Sequence, residues 1–174
     1  SKKTTSIKEE QQVSGLQLKL EEKLSNYCGV TTDIKEAKTF NNHTLIDLPG
    51  IYSLTPYSNE EIITKDYLFN EKIDCIINII DINNIRKNLF LTFELFDLNI
   101  PIILVLNMMD EFKGELDLNM LSRTLGVDCI PISAKRKQGL NKIKHCVHNL
   151  KSSHNYNFKS TSNSYESSEL RYIY

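Results

Sequence analysis

Apolar and polar positions alternate in two rhythms along the middle of this chain. Short apolar runs at 43–46, 73–80, 100–106 and 127–132 are each closed by polar or turn-forming residues. Runs of this length, rich in β-branched residues and leucine, suit strands buried on both faces of a parallel sheet. Between them the period lengthens. Ser58-Asn59-Glu60-Glu61 reads as a capping box, in which the Ser58 hydroxyl and Glu61 carboxylate satisfy free N–H groups at a helix start. It predicts a helix running to Asn70. Leu89, Phe93 and Phe96 fall at i, i+4 and i+7, the stripe of an amphipathic helix. Asp117 to Leu125 repeats that pattern, with Gly126 where a left-handed C-cap is wanted, and 139–150 reads as a last helix. Strands separated by helices of this length imply βαβ units and a layered α/β fold.

The two ends depart from this rhythm. Residues 6–25 are polar and charged, with Leu16, Leu20 and Leu24 on one helical stripe, so they read as a single amphipathic helix or a partly disordered segment. Residues 151–168 hold seven serines and three asparagines, a linker composition, and 169–174 look like the start of a further helical part. The whole is 174 residues with 21 Lys+Arg against 22 Asp+Glu, a size for one domain and a balance that excludes a basic footprint for nucleic acid. The longest apolar run, 100–106, falls far short of the roughly 20 residues a membrane helix needs, so this segment is expected to be soluble. Cys28, Cys75, Cys129 and Cys146 show no metal-ligand spacing and read as reduced thiols.

Three loops carry candidate chemistry. Asp47-Leu48-Pro49-Gly50 leaves the first apolar run, where an Asp can hold a metal-bound water and a Gly lets backbone approach a phosphate. Alone, such a DxxG is most often a turn. Asn107-Met108-Met109-Asp110 ends the run 100–106. A carboxylate there can accept from guanine N1–H and its exocyclic amine, and it rejects adenine, whose N1 is an acceptor. Ser133-Ala134-Lys135 follows the run 127–132, and its backbone N–H groups could meet a base carbonyl. Singly, NxxD and SAK are also polar strand ends. Their order changes the weighting: DxxG, NxxD and SAK, each after a predicted strand, follow the GTPase signature and lie where α/β sheets place ligands.

The same residues resemble the G domain of the bacterial ferrous iron transport protein B family. The matching pieces are Asn26-Tyr27-Cys28-Gly29-Val30-Thr31, Asp47-Leu48-Pro49-Gly50-Ile51-Tyr52-Ser53-Leu54, Pro56-Tyr57-Ser58 with Glu60-Glu61, Asp81 with Lys87-Asn88-Leu89, and Asn107-Met108-Met109-Asp110. The resemblance covers 26–150 and implies a Ras-like P-loop GTPase fold with a three-layer α/β sheet, in the cytoplasmic part of a membrane iron transporter at the bacterial inner membrane. It implies GTP or GDP with Mg2+ as ligands, and slow hydrolysis coupled to Fe(II) uptake. A membrane transport domain of the same longer protein is the implied partner. Carried over by position, Thr31 and Asp47 reach Mg2+, the Gly50 N–H meets the γ-phosphate, and 48–57 is a switch segment. Gly29 and Val30 immediately precede that threonine, Asn107 and Asp110 read guanine with Met108 and Met109 between them, and Ser133-Ala134-Lys135 closes over the base.

Two departures bear on activity. Ile51 stands where many GTPases have a glutamine that orients the attacking water, so slow turnover is expected. The phosphate loop, GxxxxGK followed by Ser or Thr, has one candidate: Lys3 and Thr4 in Ser1-Lys2-Lys3-Thr4-Thr5, with Thr4 then a further Mg2+ ligand. Lys2 stands in the place of its last glycine, so 1–25 reads as a degenerate or truncated start, either a degraded phosphate loop or a lysine-rich run. The strand expected before that loop, central in the implied sheet, is missing, and the chain is expected to be a piece of a longer protein. The rival reading is a nucleotide-free pseudo-GTPase module acting through protein contacts. A flavodoxin-like or response-regulator domain is disfavoured, because nothing in it calls for NMMD followed by SAK.

Overall fold

The computed structural model describes residues 34–38, 44–55 and 58–150. Lys3, Thr4, Gly29, Val30, Thr31 and the expected segments 1–25, 151–168 and 169–174 lie outside the described residues. In chain order the elements are β1 (Lys35–Lys38), β2 (Thr44–Asp47), α1 (Asn59–Asn70), β3 (Ile76–Asp81), a short 3-10 turn (Ile82–Asn84), α2 (Ile85–Phe96), β4 (Ile102–Asn107), α3 (Leu118–Leu125), β5 (Asp128–Pro131) and α4 (Leu140–Leu150). The predicted runs are all present, with strand ends shifted by one to three residues, and one strand is new.

Strand β4 organises the molecule. It pairs in parallel with β3 on one side, Ile76 opposite Ile102 through Asp81 opposite Asn107, and with β5 on the other, Ile103 opposite Asp128 through Leu106 opposite Pro131. All six of its residues are buried. Because side chains alternate across a strand, they feed two layers. Ile102, Leu104 and Leu106 pack with Leu89, Leu95 and Phe96 of α2, Leu121 and Leu125 of α3 and Leu68 of α1. Ile103 and Val105 pack with Ile130, Ile132 and, from α4, Leu140 and Ile143. Helices thus cover both faces, as the continuous apolar character of β4 requires.

The unforeseen strand is β1, Lys-Glu-Ala-Lys, which pairs antiparallel with β2. Among the described residues this pair forms a two-stranded sheet separate from β3-β4-β5. The caps are those expected. Ser58 accepts from Glu61 N–H and the Glu61 carboxylate accepts from Ser58 N–H, closing the box at α1. Asp117 caps α3 through Met120 N–H, and Gly126 ends it at φ 69°. The described residues contain no helix long and apolar enough to cross a membrane.

Candidate functional site

The register Asp81 opposite Asn107 sets the carboxyl ends of β3 and β4 side by side, and the loop after β5 opens beside them. Asn107 is buried, and its Oδ1 accepts a hydrogen bond from the Ala134 N–H at 3.0 Å. Two loops 27 residues apart are joined by that bond. The chain then turns sharply: Met108 adopts φ 67°, the left-handed region that side chains seldom enter. Met109 N–H donates to Ile132 O at 3.1 Å, and Glu111 N–H to Met108 O at 3.0 Å. The side chains of Met108 and Met109 lie against the larger core.

This turn delivers Asp110 to Ser133. The Asp110 side chain is only 5% exposed, and its Oδ2 lies 3.4 Å from Arg136 Nε. A hydrogen bond from the Ser133 side chain, aided by the nearby charges of Arg136 and Lys135, holds the carboxyl below the usual aspartate range, against the opposing effect of burial. Ser133 is itself buried, and its Oγ also accepts from Arg136 N–H at 3.1 Å. The Ser133 and Gln138 backbones exchange both hydrogen bonds, at 3.1 and 3.0 Å, closing the loop into a tight ring. Gly139 ends the ring at φ 84°, where an added Cβ would stand 2.5 Å from Pro131 O. Lys135 is exposed and 3.4 Å from the exposed Glu111, a pair of small energetic weight.

The loop after β2 forms a second group. Pro49 is fully buried, and its carbonyl accepts from Thr64 Oγ1 of α1 at 2.8 Å. Gly50 is exposed, with nothing within 4 Å of a Cβ placed there. Leu48, Ile51 and Leu54 pack against the larger core. The Ile51 side chain is therefore turned inward as well as being apolar. Beyond it, both oxygens of Glu94 on α2 are engaged: Ser53 Oγ donates at 3.0 Å and Leu54 N–H at 2.6 Å. Lys87 Nζ, two turns earlier on α2, lies 4.3 Å from the centre of the Tyr52 ring.

The structure thus gathers Asn107, Asp110, Ser133 and Ala134 into one constellation, and places Asp47, Leu48, Pro49 and Gly50 after β2. Thr64, Glu94 and Arg136 were not foreseen, and Lys87 entered only as part of the family resemblance, without a role. Glu94 had a signal, as the one charged residue in the apolar run 89–96, and so did Thr64, polar at a register facing inward. The histidines of α4 offer less: His145 is exposed, and among the described residues no group of three His, Cys, Asp or Glu could hold a metal. Partial burial against the two core clusters pushes the Cys75 thiol up to about 12 and the Cys129 thiol to about 11.

A parallel sheet between helical layers, with NxxD and SAK at the ends of the neighbouring strands β4 and β5 and DxxG at the end of β2, fits the architecture of a Ras-like P-loop GTPase, and the solved structures it resembles include a FeoB G domain. The model for ferrous iron transport protein B matches residues 13–147. The chain belongs to that family. It is 41% identical over 122 residues to the Fe(2+) transporter FeoB of Helicobacter pylori, covering 67% of this chain and 19% of that protein. The chain therefore spans about a fifth of the length of the curated relatives it matches. The FeoB G domain of Methanococcus jannaschii superposes with a TM-score of 0.65 at 33% identity, covering 76% of this chain and 91% of the other. The mGMPPNP-bound NFeoB of S. thermophilus gives 0.67 at 33% identity, covering 75% and 57%.

Proposed function

We propose that this chain, through residues 26–150, is a guanine-nucleotide-binding module of a ferrous iron transporter. The observation that carries this reading is the Asn107–Ala134 bond with Asp110 held as a carboxylate beside Ser133. A guanine edge offers two donors, N1–H and the 2-amine, and a desolvated carboxylate in fixed orientation accepts both. The Ala134 N–H is engaged by Asn107, which fixes the loop so that neighbouring backbone donors can face the base carbonyl. The residues present fit a purine with donors on that edge, and they fit adenine poorly.

For the phosphates and Mg2+, Asp47 and Gly50 stand at the end of β2, with Gly50 open to close backbone approach. Lys3, Thr4 and Thr31 complete the set by position in the sequence. A bound Mg2+ would neutralise phosphate charge there. Slow GTP hydrolysis follows from Ile51, whose apolar, half-buried side chain packs against the core and cannot orient water. Nucleotide state then biases a membrane transport part of the same longer protein, at the cytoplasmic face, which carries Fe2+ as cargo. The FeoB relatives are named as Fe(2+) transporters, and that supports Fe2+ as the cargo.

Titration with a fluorescent guanine nucleotide, with and without Mg2+ and in competition with GDP and ADP, tests the module. Weak binding, displaced by GDP and not ADP, is expected, because Lys2 stands in the place of the phosphate loop's last glycine while the base site is intact. Absence of binding by a chain shown to be folded by circular dichroism would overturn this reading and leave the nucleotide-free interaction module as the alternative.

A further inference from the structure

The segment after Gly50 is held by α2 in a way that the guanine site does not need. Glu94 uses both carboxylate oxygens, one on Ser53 Oγ and one on Leu54 N–H. Ser53 Oγ in turn accepts from Thr55 N–H at 3.0 Å, so one acidic side chain organises three consecutive residues. On the other side of Gly50, Pro49 O is tied to the buried Thr64 hydroxyl. Between these anchors lie Gly50, Ile51 and Tyr52. Gly50 is open, and Tyr52 is 61% exposed with its ring under Lys87.

The anchors differ in strength. A half-buried carboxylate stripped of both donors is left partly desolvated and unpaired, the costlier kind of loss. A cation–π contact at an exposed ring is weak by comparison. Lys87 and Glu94 lie seven residues apart, on one face of α2, so the helix presents a weak hold nearer the Gly50 tip and a strong one beyond it.

We propose that Glu94 is a positioning residue that limits the moving part of the switch to Gly50–Tyr52. Ser53–Thr55 stay docked on α2 in every nucleotide state, and the tip between the Thr64 and Glu94 anchors moves by breaking the Lys87–Tyr52 contact and shifting the packing of Ile51. This deepens the guanine-nucleotide reading and in part rests on it.

Residue-resolved amide exchange on the full chain tests the proposal in two arms. In the nucleotide-free protein, Glu94→Gln and Ser53→Ala should each speed Leu54 amide exchange about tenfold or more, the factor expected from losing or weakening a charge-assisted hydrogen bond. Amides in β4 should keep their protection, which separates this effect from general loosening. Unchanged Leu54 exchange in both variants overturns the proposal, whatever the protein binds. In the second arm, a non-hydrolysable GTP analogue should change exchange at Gly50–Tyr52 and leave Leu54 protected, while Lys87→Met should affect Tyr52 alone. Loss of Leu54 protection on adding the analogue also overturns it. Failure of the wild-type chain to bind any guanine nucleotide removes the parent reading, and the first arm still decides the role of Glu94.

Discussion

Asn107 and Ala134, from loops following different strands, share a hydrogen bond of 3.0 Å in a site where the asparagine is 4% exposed. Replacing Asn107 by Ala leaves the Ala134 N–H without its partner and opens a small void. A loss of about 1–3 kcal/mol in folding free energy is expected, measured by urea denaturation. Guanine-nucleotide affinity should fall with it.

Asp110 carries a distinct signature in pH. Its carboxyl is held below the usual range by Ser133, so the native state binds its proton less readily than the unfolded chain does. The resulting stabilisation is fully present above the unfolded value of about 4 and disappears as pH falls through the native value. Carbon-detected NMR titration of Asp110 should show the lowered value. Ser133→Ala should move it upward, and Asp110→Asn should abolish preference for guanine over other bases.

Two glycines make a paired test. Gly126 and Gly139 both have positive φ, but a Cβ at Gly126 meets nothing while one at Gly139 meets the Pro131 carbonyl at 2.5 Å. Gly126→Ala should cost about 1–2 kcal/mol, the left-handed penalty alone. Gly139→Ala should cost more, and it should disturb the Ser133–Gln138 ring. Equal midpoints for the two variants in thermal melts would contradict the clash.

Thr64→Val removes the donor to Pro49 O while keeping the shape. A loss of about 1 kcal/mol is expected, with Thr64→Ser recovering much of it. Faster amide exchange at Gly50 in the valine variant would show that this anchor also restrains the exposed tip.

Two half-buried thiols set an alkaline limit. Cys75 and Cys129 keep their protons to about 12 and 11, whereas unfolded thiols release theirs nearer 8.5. Above that lower value the unfolded state binds fewer protons than the native one, so stability falls with rising pH. Replacing both cysteines by Ala or Val should flatten stability between pH 9 and 11, and both thiols should resist alkylation at pH 8 until the chain is unfolded.

Much of this architecture was legible because its signals are local. The apolar run ending at Leu106 needs two covered faces wherever it lies, the Ser58–Glu61 box closes within one turn, and Gly126 answers a purely backbone demand. The loop motifs were legible for the same reason: Asn107, Asp110 and Ser133 are fixed by position at strand ends. Strand β1 was not, since Lys35–Lys38 has no apolar alternation and its pairing depends on β2 across a loop.

The sequence by itself determined the strands β2 to β5, the helices between them and the order of the three loops, because period, caps and motif order require no knowledge of neighbours. Only the tertiary structure decided that Asp110 is held ionised beside Ser133, that Ile51 turns into the core, and that Glu94 grips Ser53 and Leu54 from 40 residues away. Those outcomes depend on which elements pack together, and burial and hydrogen-bond geometry become defined only once they do.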